Sequence, residues 1–173
     1  TPLTSTLPIE FHLNFSHSIP ALVANHLQIV GASLLSLTRL STSSFAAIVN
    51  TSSAFSVISL TLAQSVADDR GQTVAPPAAL SVTVDQSPVQ AVFRTNVNMP
   101  SSNPLFTVAL SLSKALDSSL TSAKLSILGG LLVPASFSAI NSTYFTFQVT
   151  AHGPIVNVSL KTDGLKDPLG NPV

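Results

Sequence analysis

The sequence predicts an all-β protein built as two tandem antiparallel β-sandwiches. Three observations carry that prediction: period-two alternation of apolar and polar residues, an internal repeat of about one hundred residues, and turn chemistry that punctuates both copies alike. In Phe11-His12-Leu13-Asn14-Phe15, the apolar side chains share one face while Glu10, His12 and Asn14 share the other. Phe145, Phe147 and Val149 alternate in the same way with Thr146 and Gln148, and Val156, Val158 and Leu160 with Asn157 and Ser159. A sheet with one buried and one wet face reads like this, and the expected core is Phe11, Leu13, Phe15, Ile29, Leu60, Val108, Leu110, Leu112, Ile127, Phe145, Phe147, Val149, Val158 and Leu160. Abundant Ser, Thr and β-branched residues oppose any long helix.

The repeat is visible block by block. Phe11 to Ile19 matches Val108 to Leu116 at an offset of 97, and Leu27 to Gly31 matches Leu125 to Gly129 at 98. Val66 to Val74 matches Leu165 to Val173 at 99. Ile58, Leu60 and Leu62 are the first-copy counterparts of Val156, Val158 and Leu160. Order and spacing are both kept, which chance similarity between apolar strands would not preserve. The last block carries Asp-x-x-Gly in both copies, Asp68 to Gly71 and Asp167 to Gly170. Aspartate accepts backbone N–H groups two residues on, and glycine takes positive φ without steric cost, so the element is a turn.

The junction follows from turn chemistry too. A stiff Ala75-Pro76-Pro77 precedes a short strand, Leu80 to Val84, and then Asp85-Gln86-Ser87-Pro88. Pro88 removes a backbone donor and biases its predecessor towards extended geometry. The boundary therefore falls at 85–88, giving sandwiches over 1–85 and 86–173. The second copy opens on a strand near Val89 to Thr95, and the first closes on Leu80 to Val84. On this placement the first copy lacks its opening edge strand and the second its closing one. With no initiator methionine and no signal-like segment at Thr1, the chain reads as an internal piece or a processed product of a longer repeat protein.

Charged residues make up 8 % of the chain and hydrophobic ones 45 %, against roughly 25 % charged in an ordinary soluble domain. The apolar runs, such as Leu128 to Ala135, are broken by Gly and Pro and fall short of the ~20 residues of a spanning helix. Seven basic and seven acidic residues cancel, which removes the electrostatic footprint of a nucleic-acid binder. The polarity comes instead from Ser, Thr, Asn and Gln, as in secreted or wall-associated proteins. No cysteine is present, so an extracellular sandwich here stands without disulfides.

These motifs, in this order, resemble the bacterial-type immunoglobulin-like repeats of surface-layer proteins and large adhesins. Such repeats carry a strand ending in Phe-Ser (here Phe15-Ser16 and Leu112-Ser113). They end in an Asp-x-x-Gly-Asn-Pro turn, matched by Asp167, Gly170, Asn171 and Pro172, and join through Val-Asp-x-x-Pro, matched by Val84, Asp85 and Pro88. The first copy departs at its turn, with Gln72 and Thr73 in place of Asn-Pro. The resemblance implies a seven-strand-type immunoglobulin-like sandwich and a role in adhesion, spacing or surface assembly without catalysis.

Related adhesin arrays rigidify their junctions with calcium, which makes Asp68, Asp69 and Asp85 the calcium candidates. Six to eight oxygens are needed for that ion, and turn capping is the favoured role for these carboxylates. The histidines, His12, His17, His26 and His152, show no zinc spacing. No Gly-x-Ser-x-Gly elbow marks an activated serine, so the chain is read as no enzyme. Four glycosylation sequons begin at Asn14, Asn50, Asn141 and Asn157, where roughly two or three would arise by chance. The functional expectation is a non-catalytic structural repeat of an extracellular or cell-surface protein, a filament, wall or appendage component whose partners are neighbouring repeats. The alternative is an adhesion module that binds a protein or glycan through loops or a strand edge. With no Trp and one Tyr, carbohydrate-stacking platforms are scarce.

Overall fold

A computed structural model describes residues 1–74, 78–97 and 104–173. The chain divides into two compact units, Thr1–Ser87 and Pro88–Val173. Strands account for nearly all regular structure in both. The only helical elements among the described residues are two short 3-10 turns, Ala24–His26 and Ser122–Lys124.

The first unit contains β1 (Leu3–Thr4), β2 (Ile9–Asn14), β3 (Leu27–Val30), β4 (Ser33–Arg39), β5 (Ser44–Asn50), β6 (Phe55–Leu62), β7 (Val66–Ala67), β8 (Thr73–Val74) and β9 (Leu80–Asp85). One sheet runs β1-β9-β6-β3, the other β2-β5-β4, and β7 and β8 form a small ribbon. Inward residues of both sheets meet in one core. Phe11, Leu13, Phe45, Ala47 and Val49 come from one side, and Leu27, Ile58, Leu60, Leu62, Val82 and Val84 from the other. This is a β-sandwich.

The second unit contains β10 (Ala91–Thr95), β11 (Leu105–Leu112), β12 (Leu125–Leu128), β13 (Gly130–Leu132), β14 (Ser138–Ala139), β15 (Tyr144–Ala151) and β16 (Asn157–Leu160). Its larger sheet runs β10-β11-β15-β13, with β14 also on β15, and β12 pairs only with β16. Phe106, Val108, Leu110, Leu112, Phe145, Phe147 and Val149 build its core, with Val89, Leu120, Leu125 and Leu165 added from outside the large sheet.

The internal repeat holds at the level of register. Leu27 pairs with Leu62 and Leu125 with Leu160, each partner 98 residues on. Leu13 faces Phe45 as Leu110 faces Phe145. Gly31 and Gly129 both take positive φ, 80° and 76°. At each, a Cβ would collide with a backbone carbonyl oxygen, of Val57 in one unit and of Ile155 in the other. The collision partners are themselves 98 residues apart.

Among the described residues no strand lies on the outer side of β2, where the second unit has β10 against β11; the strand at the start of the first unit, Leu3–Thr4, runs parallel to Thr83–Val84 at the edge of the other sheet. One sequence expectation is corrected: Phe15, Ile29, Ile127, Val158 and Leu160, expected in the core, are only half-buried. Four of these five lie on β3, β12 or β16, strands with at most one neighbour in their sheets.

Candidate functional site

The two Asp-x-x-Gly turns are the most conspicuous polar sites. Asp68 and Asp167 are buried, 6 % and 3 % exposed, although their surroundings are loops. In each, Oδ1 accepts two backbone N–H groups: those of Arg70 (2.9 Å) and Gln72 (2.8 Å) at Asp68, and those of Leu169 (2.9 Å) and Asn171 (2.8 Å) at Asp167. Gly71 and Gly170 supply the positive φ that closes the turn. Oδ2 of Asp167 also accepts from Asn171 Nδ2 at 2.9 Å and faces Lys114 Nζ at 3.4 Å. At the matching place, Oδ2 of Asp68 faces His17 Nδ1 at 4.0 Å and Arg70 Nε at 3.6 Å. His17 and Lys114 are 97 residues apart, the offset of the block that contains them. The repeat alignment placed these two basic side chains opposite one another, but nothing in the chain order linked them to the aspartates.

Burial alone pushes the Asp167 carboxyl up. The bonds from the Asn171 amide, the Asn171 and Leu169 backbone N–H groups and Lys114 outweigh it and hold the group below its ordinary value of 3.8. Hydrogen bonds to the charged form have this sign.

Two of the three calcium candidates have their carboxylates engaged locally. Asp68 spends an oxygen on its own turn, and Asp85 Oδ1 accepts the N–H and the hydroxyl of Ser87. Asp69 is exposed, and its N–H donates to Ser18 O at 3.0 Å. Among the described residues, no group of three or more His, Asp or Glu side chains gathers around a point. His12 is exposed and lies 3.3 Å from Glu10 on the wet face of β2.

Ser16 Oγ lies 3.0 Å from His17 Nδ1, the ring nitrogen that Asp68 also faces. Activating a serine needs the base at one imidazole nitrogen and the orienting acid at the other. With both on Nδ1, this cluster does not have the triad arrangement.

All four sequon asparagines are exposed. Asn14 ends β2, Asn50 ends β5 and Asn157 begins β16. Asn141 sits in the turn before β15, where its Oδ1 accepts from Thr143 N at 2.9 Å and Thr143 Oγ1 at 3.1 Å. That bond brings the sequon hydroxyl against the asparagine amide.

A groove of about 410 Å³ opens in the first unit, lined by Leu13, Phe15, Leu62, Val74 and Leu80 together with polar groups of β2. In the second unit Val89, 3 % exposed, lies beside the counterparts of its walls. The Val89 N–H donates to Pro172 O, and the adjacent Gln90 O accepts from Ser113 N. Pro172 and Ser113 correspond to Thr73 and Ser16. The groove marks the side of β2 that, among the described residues, has no strand like β10.

No described helix is long and apolar enough to cross a membrane. Compared with known proteins, the chain matches no family model and no curated sequence.

Proposed function

We propose that this chain is a non-catalytic structural repeat segment of a larger extracellular or cell-surface protein, a filament, wall or appendage component of immunoglobulin-like sandwiches in series. The observation that carries the reading is the duplicated architecture: two cores whose strand registers, tight glycines and Asp turns recur in the same order about one hundred residues apart. A chain that spends its buried carboxylates on identical turns uses them to hold shape. The hydroxyl-rich, charge-poor surface and four exposed sequon asparagines support an extracellular setting. Neighbouring repeats are then the natural partners, as in the bacterial-type repeats that the motifs resemble.

The adhesion reading draws on one observation, the open outer side of β2 with its apolar groove. Groove binding of an extended segment is a known recognition mode.

Mass spectrometry of the native polypeptide tests the structural reading. Expected are glycans on Asn14, Asn50, Asn141 and Asn157, and peptides that continue past Thr1 and Val173 into further Asp-x-x-Gly turns. Bare asparagines, and flanking sequence without such turns, would overturn it.

A further inference from the structure

The two units share a turn but not the side chain behind it. Arg39 pairs with Phe45 across β4 and β5, and Ala139 pairs with Phe145 across β14 and β15, each partner 100 residues on. The turns that follow are bonded alike. Leu40 N and Ser41 N donate to Ser44 O at 2.9 and 3.1 Å, and Ile140 N and Asn141 N donate to Tyr144 O at 2.9 and 3.2 Å. In the first unit the Arg39 guanidinium lies 5.9 Å from the centre of the Phe45 ring. It donates to the carbonyl oxygens of Ser41 at 2.9 Å, Thr42 at 3.4 Å and Pro20 at 3.5 Å. The side chain thus closes the space between this turn and the segment that follows β2. In the second unit alanine stands in its place, and a cleft of about 320 Å³ opens there. Its walls include Leu116, Asp117, Ser119, Ala139, Asn141 and Phe145. Asp117 and Asn141 hold the positions of Pro20 and Ser41, so this is the space that Arg39 fills.

The copy that leaves the cleft open is also the copy with a sequon on its rim. The turn of the first unit reads Ser41-Thr42-Ser43, whereas that of the second reads Asn141-Ser142-Thr143. Thr143 holds Asn141 Oδ1 through its N–H and its hydroxyl. We propose that the first N-acetylglucosamine of a glycan on Asn141 folds back into the cleft beside Ala139 and takes the space that Arg39 fills in the first unit. The occupant's identity rests on the glycosylated, extracellular reading above; the cleft and its comparison with Arg39 do not. Attachment joins Asn141 Nδ2 to the anomeric carbon of the sugar. The lipid diphosphate of the glycosyl donor leaves with the bonding electron pair, and the amide loses one proton. Small-molecule sites run from roughly 300 to 1,000 Å³, so this cleft takes a single sugar ring. Leu116, Ala139 and the Phe145 ring offer apolar walls to the C–H face of a pyranose. Ser119 and Asp117, the latter 3.7 Å from Lys166, offer polar partners to its acetamide and hydroxyls. A free sugar would bind so small a site weakly, but a covalent tether on the rim raises its effective concentration there.

The test uses the full chain made in a glycosylating eukaryotic host, with Ser16→Ala, Ser52→Ala and Ser159→Ala removing the other sequons. An endoglycosidase that cuts between the two core sugars leaves one N-acetylglucosamine at Asn141, verified by mass. Expected are nuclear Overhauser contacts from the acetamide methyl and ring protons of the sugar to Leu116 and Phe145. The sugar also lowers the unfolding equilibrium constant of the second unit about fivefold, the worth of roughly one hydrogen bond, against the same chain from a non-glycosylating bacterial host. Tyr144, the chain's only tyrosine, reports that unfolding. Ala139→Arg refills the cleft in the manner of Arg39: with the sugar still attached, its contacts to Phe145 disappear, and the sugar-bearing and bare forms of this variant unfold alike. An attached sugar without these contacts overturns the proposal, as do contacts and a stability gain that survive Ala139→Arg. An Asn141 left bare by the eukaryotic host overturns it together with the glycan reading, whereas a sugar that is attached but unseated overturns this proposal alone.

Discussion

Replacing Asp167 by Asn tests whether the buried turn carboxylate acts as an anion. The substitution keeps the shape and leaves one oxygen for the backbone N–H groups of Leu169 and Asn171. It removes the charge and turns a donor towards Asn171 Nδ2 and Lys114 Nζ, both of which now point at Oδ2. Bonds to a charged acceptor are worth about 1.5–3 kcal/mol and neutral ones about half that, so two weakened bonds and two donor–donor contacts cost about 3 kcal/mol. For a unit of this size that lowers Tm by about 10–20 °C. The chain has no Trp and a single Tyr, Tyr144 on β15, so tyrosine emission during urea unfolding reports the unit that contains Asp167. The effect also has a pH signature. The folded carboxyl titrates below 3.8, so its contribution is complete above the unfolded value and fades as pH falls through the lower, folded one. The gap between wild type and Asp167→Asn is therefore full at pH 7 and shrinks at pH 3 and below. A gap under about 1 kcal/mol at neutral pH, or one that stays constant with pH, would refute the assignment of the charge to the turn.

Three further substitutions probe the core and the close backbone approaches. Gly129→Ala adds both a strained φ and a collision with the Ile155 carbonyl, costing about 2–4 kcal/mol in urea melts. Gly164→Ala shares the positive φ but meets nothing within 4 Å, and costs only about 1 kcal/mol; equal effects at the two sites would contradict the close approach. Phe147→Ala empties a position 1 % exposed, stacked on Phe137 at 6.3 Å and edge-on to Phe93 at 6.5 Å. It should cost about 3–5 kcal/mol by chemical denaturation, and an unchanged midpoint would place this side chain outside the core.

The strands with clean alternation were legible from the chain alone. Phe11 and Leu13, Leu110 and Leu112, and Phe145, Phe147 and Val149 all lie in the cores. Ser44–Asn50 was not legible, because Phe45, Ala46 and Ala47 are buried in succession and no alternation marks the strand. The contributions of Ile19, Leu22 and Leu120 were hidden for another reason: they reach the cores from segments outside any strand, where period two has no meaning. The Asp turns were readable as local chemistry, since their acceptors and donors lie within four residues. Their basic partners were not, because Lys114 and Asp167 stand 53 residues apart in sequence and only the fold brings them together. Ile127, Val158 and Leu160 have the pattern of core residues, but pattern reports which face a residue takes, whereas its burial depends on how many strands flank it.

Edge strands invite unwanted pairing, and proteins commonly blunt them with charge. This chain has little charge to spend, and β16 carries none. It does carry a sequon, as does β2, the strand whose outer side faces the apolar groove. Both asparagines are exposed and alternate with inward apolar residues, so a glycan at either would stand on the wet face of its sheet and shield by bulk and hydration a strand that charge does not protect.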